Sequence, residues 1–184
     1  MDQYIFGAEL LKKYEGFTPR ASWDVNAWRL GYGSDTLTLP DGTIRKVKQG
    51  DTTTKEQAIK DLQRRVKEFE KKVIKKVGSD NWEPLNYQVK AALLSLAYNY
   101  GNITKQSIIE AIAKQDNKLI AEALIKSTYN DNPGKYQAGL RKRRKAEAEI
   151  IIKAPPPSKK GSNIVKLLIL LPLLYLSYTY LIKR

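Results

Sequence analysis

The chain has 184 residues, room for one globular domain of ordinary size and too few for two comfortable ones. Lys and Arg number 33 against 19 Asp and Glu, a net charge of +14, which favours an anionic partner: nucleic acid, a membrane surface or a cell-wall polymer. With no Cys and no His, disulfides, thiol nucleophiles, Ser-His-Asp triads and histidine-ligated zinc are excluded, and catalysis falls mostly to carboxylates.

The opening residues lack the apolar run of a secretory signal, since Met1 to Leu11 includes Asp2, Gln3 and Glu9. Tyr4, Ile5, Ala8, Leu11 and Tyr14 recur at helical steps, and Gly16 follows Glu15 as a stop, so a first helix is predicted to end at Glu15. From Phe17 to Gly50, Pro and Gly punctuate short runs such as WRLGY, TLTL and TIRKV, with a turn signal at Pro40-Asp41-Gly42. That pattern predicts a small antiparallel sheet.

Thr54-Lys55-Glu56-Gln57 has the form of a capping box. It predicts a long helix with Ala58, Leu62, Val66, Phe69, Val73 and Val77 on one apolar face, ended by Gly78. Pro84 is placed at a first helical turn, and Val89–Tyr100 reads as a central buried helix stopped by Gly101. Two shorter helices are expected near 105–114 and 117–127, then a last one from about 136 to 152. The expected body, residues 1–153, holds all 19 acidic residues and has a net charge of +9. Residues 154–163 (APPPSKKGSN) read as a linker. Residues 164–182 contain 15 apolar residues of 19 and would span about 28 Å as a helix, so a single transmembrane helix is expected there. The resulting fold class is α+β: a sheet lobe and a helical lobe joined by the long helix, with a cleft between them and a membrane span after them.

Glu15 and Asp24 are the carboxylates chosen from this plan, because they sit on different elements and can face each other across the cleft. Glycoside cleavage needs one carboxyl to protonate the leaving oxygen and another to act on water or on developing positive charge. The spacing alone is weak evidence among 19 acids.

The segment YEGFTPRASWDVNAWRLGYGSDT resembles the active region of the phage-type lysozymes through Glu15-Gly16, Asp24 and Gly31-Tyr32-Gly33. LLSLAYNYG (93–101) is similar to the family's central helix, and GLRKRRKAE (139–147) to its closing motif. The resemblance implies a two-lobed lysozyme-like fold over roughly residues 4–152, with peptidoglycan as substrate and no metal or cofactor. It implies Glu15 as general acid, Asp24 as the group assisting water or stabilising charge, and Tyr32, Tyr98 and Asn99 in substrate binding. The implied reaction is cleavage between N-acetylmuramic acid and N-acetylglucosamine.

One position departs from the family pattern. Two residues before the first Gly of Gly-x-Gly the family usually has Thr, which helps hold the water; here it is Arg29, one residue nearer Asp24. Arg29 cannot accept a proton. Ser34 and Thr36 are substitutes for the missing hydroxyl, and a lytic transglycosylase using Glu15 alone is the rival mechanism. A catalytically inactive wall-binding or virion membrane protein is the rival outside enzymes. Trp23 and Trp28 are read as sugar-stacking or sheet-core residues. The basic run Arg141–Lys145 is read as a solvated helix face with one Arg turned in to pair with Glu15, rather than as a nucleic-acid patch. Residues 164–182 imply the lipid bilayer as a second partner, in the membrane of a lipid-containing virion or in the host inner membrane.

Overall fold

The computed structural model describes residues 3–128 and 137–158. The chain begins with helix α1 (Gln3–Glu15), and a small lobe follows, made of β1 (Thr18–Asp24), β2 (Ala27–Gly31), β3 (Thr36–Thr38) and β4 (Ile44–Lys46). The rest is helical: α2 (Lys55–Val77), α3 (Ser79–Trp82), α4 (Tyr87–Tyr100), α5 (Gln106–Ala113), α6 (Asn117–Lys126) and α7 (Gln137–Lys153). This is the expected α+β plan.

The expected single sheet is two separate antiparallel hairpins, β1-β2 and β3-β4, with isolated bridges tying Arg20 to Thr52 and Leu30 to Ser34. Pro19 lies in β1, where the register slips between Thr18 and Ser22, because proline brings no N–H to the ladder. Leu30, Leu37 and Val47 form a small core of their own beneath these hairpins.

All six apolar residues predicted for one face of α2 are buried. Thr54 caps the helix by accepting from the Gln57 backbone N–H at 3.2 Å. The Gln57 side chain reaches instead to the Thr38 carbonyl (2.7 Å), and Asp61 accepts from Thr38 N at 3.0 Å. The start of α2 is thereby bonded to β3, which sets the angle of the small lobe against the helices.

In α4, every residue from Val89 to Ala97 is buried. Helices α1, α2 and α7 pack around it. Gly7 lets α1 approach closely, with Val66 and Ala91 within 3.8 Å of where a side chain would start. Pro84 differs from its expected place. The short helix α3 intervenes, Asn86 caps α4 by accepting from Gln88 N at 3.0 Å, and Pro84 lies in the connection.

The boundary read at Lys153 falls inside the packed body. Ala154 is 7% exposed and belongs to the main core. Asn117 Nδ2 donates to the carbonyls of Ala154 (3.1 Å) and Pro155 (3.2 Å), and Ser158 N donates to Pro84 O (2.8 Å). Pro155, Pro156 and Pro157 are thus held along the body rather than leading away from it. The expected span at 164–182 lies outside the described residues. Among the described residues, no helix is long and apolar enough to cross a membrane.

Candidate active site

A cleft of about 400 Å³ opens between the lobes, lined by Glu15, Asp24, Arg29, Asp35, Arg65 and Phe69, with Tyr98 and Asn99 at the end of α4. Five of the six residues singled out in the sequence therefore meet here.

Glu15 is the last residue of α1, and Gly16 follows with φ +66°, which turns the chain away and leaves the carboxylate at the helix end. Its Oε1 accepts from Arg143 Nη1 at 2.7 Å, a contact between residues 128 positions apart. Oε2 points the other way, 3.5 Å from where a Cβ on Gly33 would sit. Oε2 is thus the oxygen turned towards the small lobe, with no hydrogen-bond partner among the described residues.

Arg143 is held at every nitrogen. Nε donates to Glu147 Oε1 (3.2 Å), Nη2 donates to Ser95 O and Oγ (3.2 and 3.1 Å), and the guanidinium lies 5.0 Å from the Tyr14 ring centre. Ser95 Oγ donates to Glu147 Oε1 at 2.6 Å. Burial pushes the Glu147 carboxyl up from its ordinary value, against the pull of Arg144, Ser95 and Arg143. The basic run accordingly turns two arginines inward, Arg143 and Arg144 (6% and 0% exposed), while Arg141, Lys142 and Lys145 face solvent. Arg143, Arg144 and Glu147 share one face because they are three and four residues apart.

Asp24 ends β1 and is largely exposed. Its Oδ2 is 3.0 Å from Arg29 Nε, an ion pair in which the N–H is not aligned on the carboxylate. Arg29 Nη1 donates to Gly33 O at 3.3 Å. The guanidinium therefore bridges Asp24 to the loop beside Glu15. Ser34 and Thr36 do not take the water-holding place. Ser34 is buried and donates to Thr36 O (2.6 Å), and Thr36 Oγ1 accepts from Arg64 and Arg65.

Tyr32 stands apart from the cleft. Its side chain is in the main core against Phe17, and only its carbonyl looks towards the site, accepting from Tyr98 OH at 2.7 Å. Trp23 and Trp28 pack edge-on at 5.7 Å. Strand alternation puts them on the sheet face opposite Asp24 and Arg29. Asn99 is exposed at the cleft.

Asp35, Arg65 and Phe69 were not legible as cleft residues. Arg65 lies against the paired rings of Tyr98 (5.3 Å) and Phe69 (5.7 Å), which are 5.3 Å from each other, and reaches Asp35 at 2.5 Å. Burial alone would raise the Asp35 carboxyl, but the Lys46 hydrogen bond (2.7 Å) and Arg65 override it and hold it at about 2. Burial raises the Tyr98 phenol, with Arg65 opposing. Among the described residues no acidic cluster is arranged to hold a metal ion.

A small sheet lobe facing a helical lobe across a carboxylate-lined cleft defines a lysozyme-like architecture. The chain matches the phage lysozyme family over residues 12–147 and belongs to that family. Its fold is similar to that of a mutant P22 lysozyme (TM-score 0.63, 22% identity, covering 80% of this chain and 96% of the other). It is also similar to the muramidase domain of SpmX from Asticaccaulis excentricus (TM-score 0.53, 22% identity, covering 81% and 96%). No curated protein matches the chain.

Proposed function

We propose that the protein is a peptidoglycan glycosidase cleaving the β-1,4 bond between N-acetylmuramic acid and N-acetylglucosamine, with Glu15 as general acid and Asp24 as its partner. The observation that carries this reading is the shared cleft: two carboxylates from different lobes, one of them with an oxygen fixed by Arg143. Glu15 Oε2 would carry the proton, since Oε1 is engaged. As the C1–O bond breaks, that proton passes to the leaving oxygen and the bonding electrons stay with it. Asp24 takes a proton from the water that adds to C1. Arg29 has no basic site to offer, so its part is to hold Asp24 in place.

Membership of the phage lysozyme family and the muramidase relative support peptidoglycan as substrate. Replacing Glu15 by Gln keeps the shape and removes the transferable proton. Wall clearing by purified Glu15→Gln at the wild-type rate would overturn the assignment.

The Arg29 contact favours a second reading, a lytic transglycosylase. With no hydroxyl in the water-holding place, the sugar's own C6 hydroxyl attacks C1 and returns its proton to Glu15. The product is then one water lighter, and mass spectrometry separates the two.

Residues 164–182 serve in this proposal as a membrane anchor, placing the body at a virion or host membrane. Flotation of the full chain with lipid vesicles tests that part independently of activity.

A further inference from the structure

Two places on the body lie at opposite ends of the central helix. Tyr98, Asn99 and Gly101, at the C-terminal end of α4, border the cleft. The chain leaves the body at the other end, where Ser158 is bonded to Pro84, three residues before α4 begins. With 14 residues, α4 separates these places by about 20 Å. Three other helices run between the same two ends, α1 in the direction of α4 and α2 and α7 against it. α1 runs from Tyr4, bonded to Glu70 beside Trp82, to Glu15 in the cleft. α7 runs from Arg143, at Glu15, to Lys153 at the exit. α2 starts at the small lobe and ends about 34 Å away, next to α3.

The exit end is made of three corners held together. Gln115 Nε2 donates to Asn81 O at 2.8 Å, joining the α5–α6 corner to α3, and Asn117 holds the proline strap. Lys75, Lys76, Lys114, Lys118 and Lys153 stand exposed around it, against the acids Asp80, Glu83 and Asp116. Lys159 and Lys160 follow directly in the sequence. From Ser158 to residue 164, where the apolar run starts, the chain can reach at most about 20 Å.

We propose that this lysine-ringed end docks on anionic lipid headgroups and that the strap holds the cleft pointing away from the bilayer. The proposal rests on the membrane-anchoring reading above. A tether this short cannot let the body tumble freely, and lysines within a Debye length of an anionic surface are attracted to it. The span fixes where the body sits, and the exit face fixes which way it looks. A glycan strand is then met at a set height above the lipid.

The chain has no native Cys, so single labels are unambiguous. Ser79→Cys at the exit end and Gln49→Cys on the small lobe, both at exposed positions, each carry a fluorophore in the full-length chain. The protein is reconstituted in phosphatidylcholine vesicles with and without phosphatidylglycerol, each doped with headgroup spin labels. Quenching is expected at position 79 and not at 49, strengthened by phosphatidylglycerol. Adding Lys75→Gln, Lys76→Gln, Lys114→Gln and Lys118→Gln should remove that strengthening while the chain still floats with vesicles. Equal quenching at both positions, or none at 79 in vesicles that carry the protein, overturns the docking face but leaves the anchor standing. Failure to float overturns both, and wall clearing by the same labelled protein reports the glycosidase reading separately.

Discussion

Arg143 Nη1 lies 2.7 Å from Glu15 Oε1, and the same guanidinium bonds Ser95 and Glu147, so one buried side chain ties α1, α4 and α7 together at the cleft. Removing it leaves Glu147 in the core with less compensation. Arg143→Ala should lower stability by about 3–5 kcal/mol, measured by urea unfolding. Activity should fall further than the unfolded fraction accounts for, because the acid loses its fixed oxygen. A variant that is destabilised but has wild-type activity per folded molecule would show that Arg143 does not position the acid.

Glu15→Gln should cut wall cleavage by about 10²–10⁴-fold while the chain still folds. Turbidity clearing and circular dichroism on the same sample check both halves.

Asp24→Asn and Arg29→Thr separate the two mechanisms. If water adds, Asp24→Asn should be nearly as damaging as Glu15→Gln, and Arg29→Thr should keep or raise hydrolysis. If the sugar closes on itself, Asp24→Asn should stay active, and Arg29→Thr should shift products from anhydro to reducing ends. Mass spectrometry of released muropeptides reads the outcome.

Gly33 and Gly16 have similar backbones, φ +73° and +66°, but only Gly33 has the Glu15 carboxylate within 4 Å of a new Cβ. Alanine at either should cost about 1–2 kcal/mol of strain. Gly33→Ala should in addition lower kcat, because its methyl abuts Oε2. Equal kcat for the two variants would remove Oε2 as the oxygen that works.

Asp35 is held at about 2, below the unfolded value of about 3.9. A depressed carboxyl stabilises the fold above its unfolded pKa and loses that contribution as pH falls through its folded one. The difference in urea midpoint between wild type and Asp35→Asn should therefore be full near pH 5 and shrink between about pH 4 and pH 2. Asp51, held at about 2 chiefly by its Arg45 hydrogen bond, titrates in the same window and remains in the variant.

Cutting the chain after Ser158 should retain a fully stable body. Cutting after Lys153 removes Ala154 from the core and the strap's hydrogen bonds, and should cost about 1–3 kcal/mol. Thermal melts of the two truncations make the comparison.

The face of α2 was legible because a 3.6-residue apolar period has one structural solution. Glu15 and Asp24 came from motif order, with the cleft inferred from a plan of two lobes. Asp35 and Arg65 were not legible, since their meeting depends on the angle at which β3 lies on α2, set by the Gln57 and Asp61 contacts to Thr38. Tyr32 was placed at the substrate because it lies inside the Gly-x-Gly motif, yet the flanking left-handed glycines turn its ring into the core. The strap was read from composition as a linker, and composition does not show that Asn117 would bond its carbonyls.

The packing of α1 also has a consequence for the order of events on the ribosome. Its partners are Val66, Ala91 and Arg143, all far downstream, and Glu70 for its first turn. The first helix to be synthesised therefore meets its first partners only with α2, is not packed on both sides until α4 has been made, and has Arg143 at its last residue only when α7 follows. An interrupted translation product carries Glu15 but neither the far wall of the cleft nor the arginine that aims it. The cleft, with Glu15 held by Arg143, is complete only once α7 has been made.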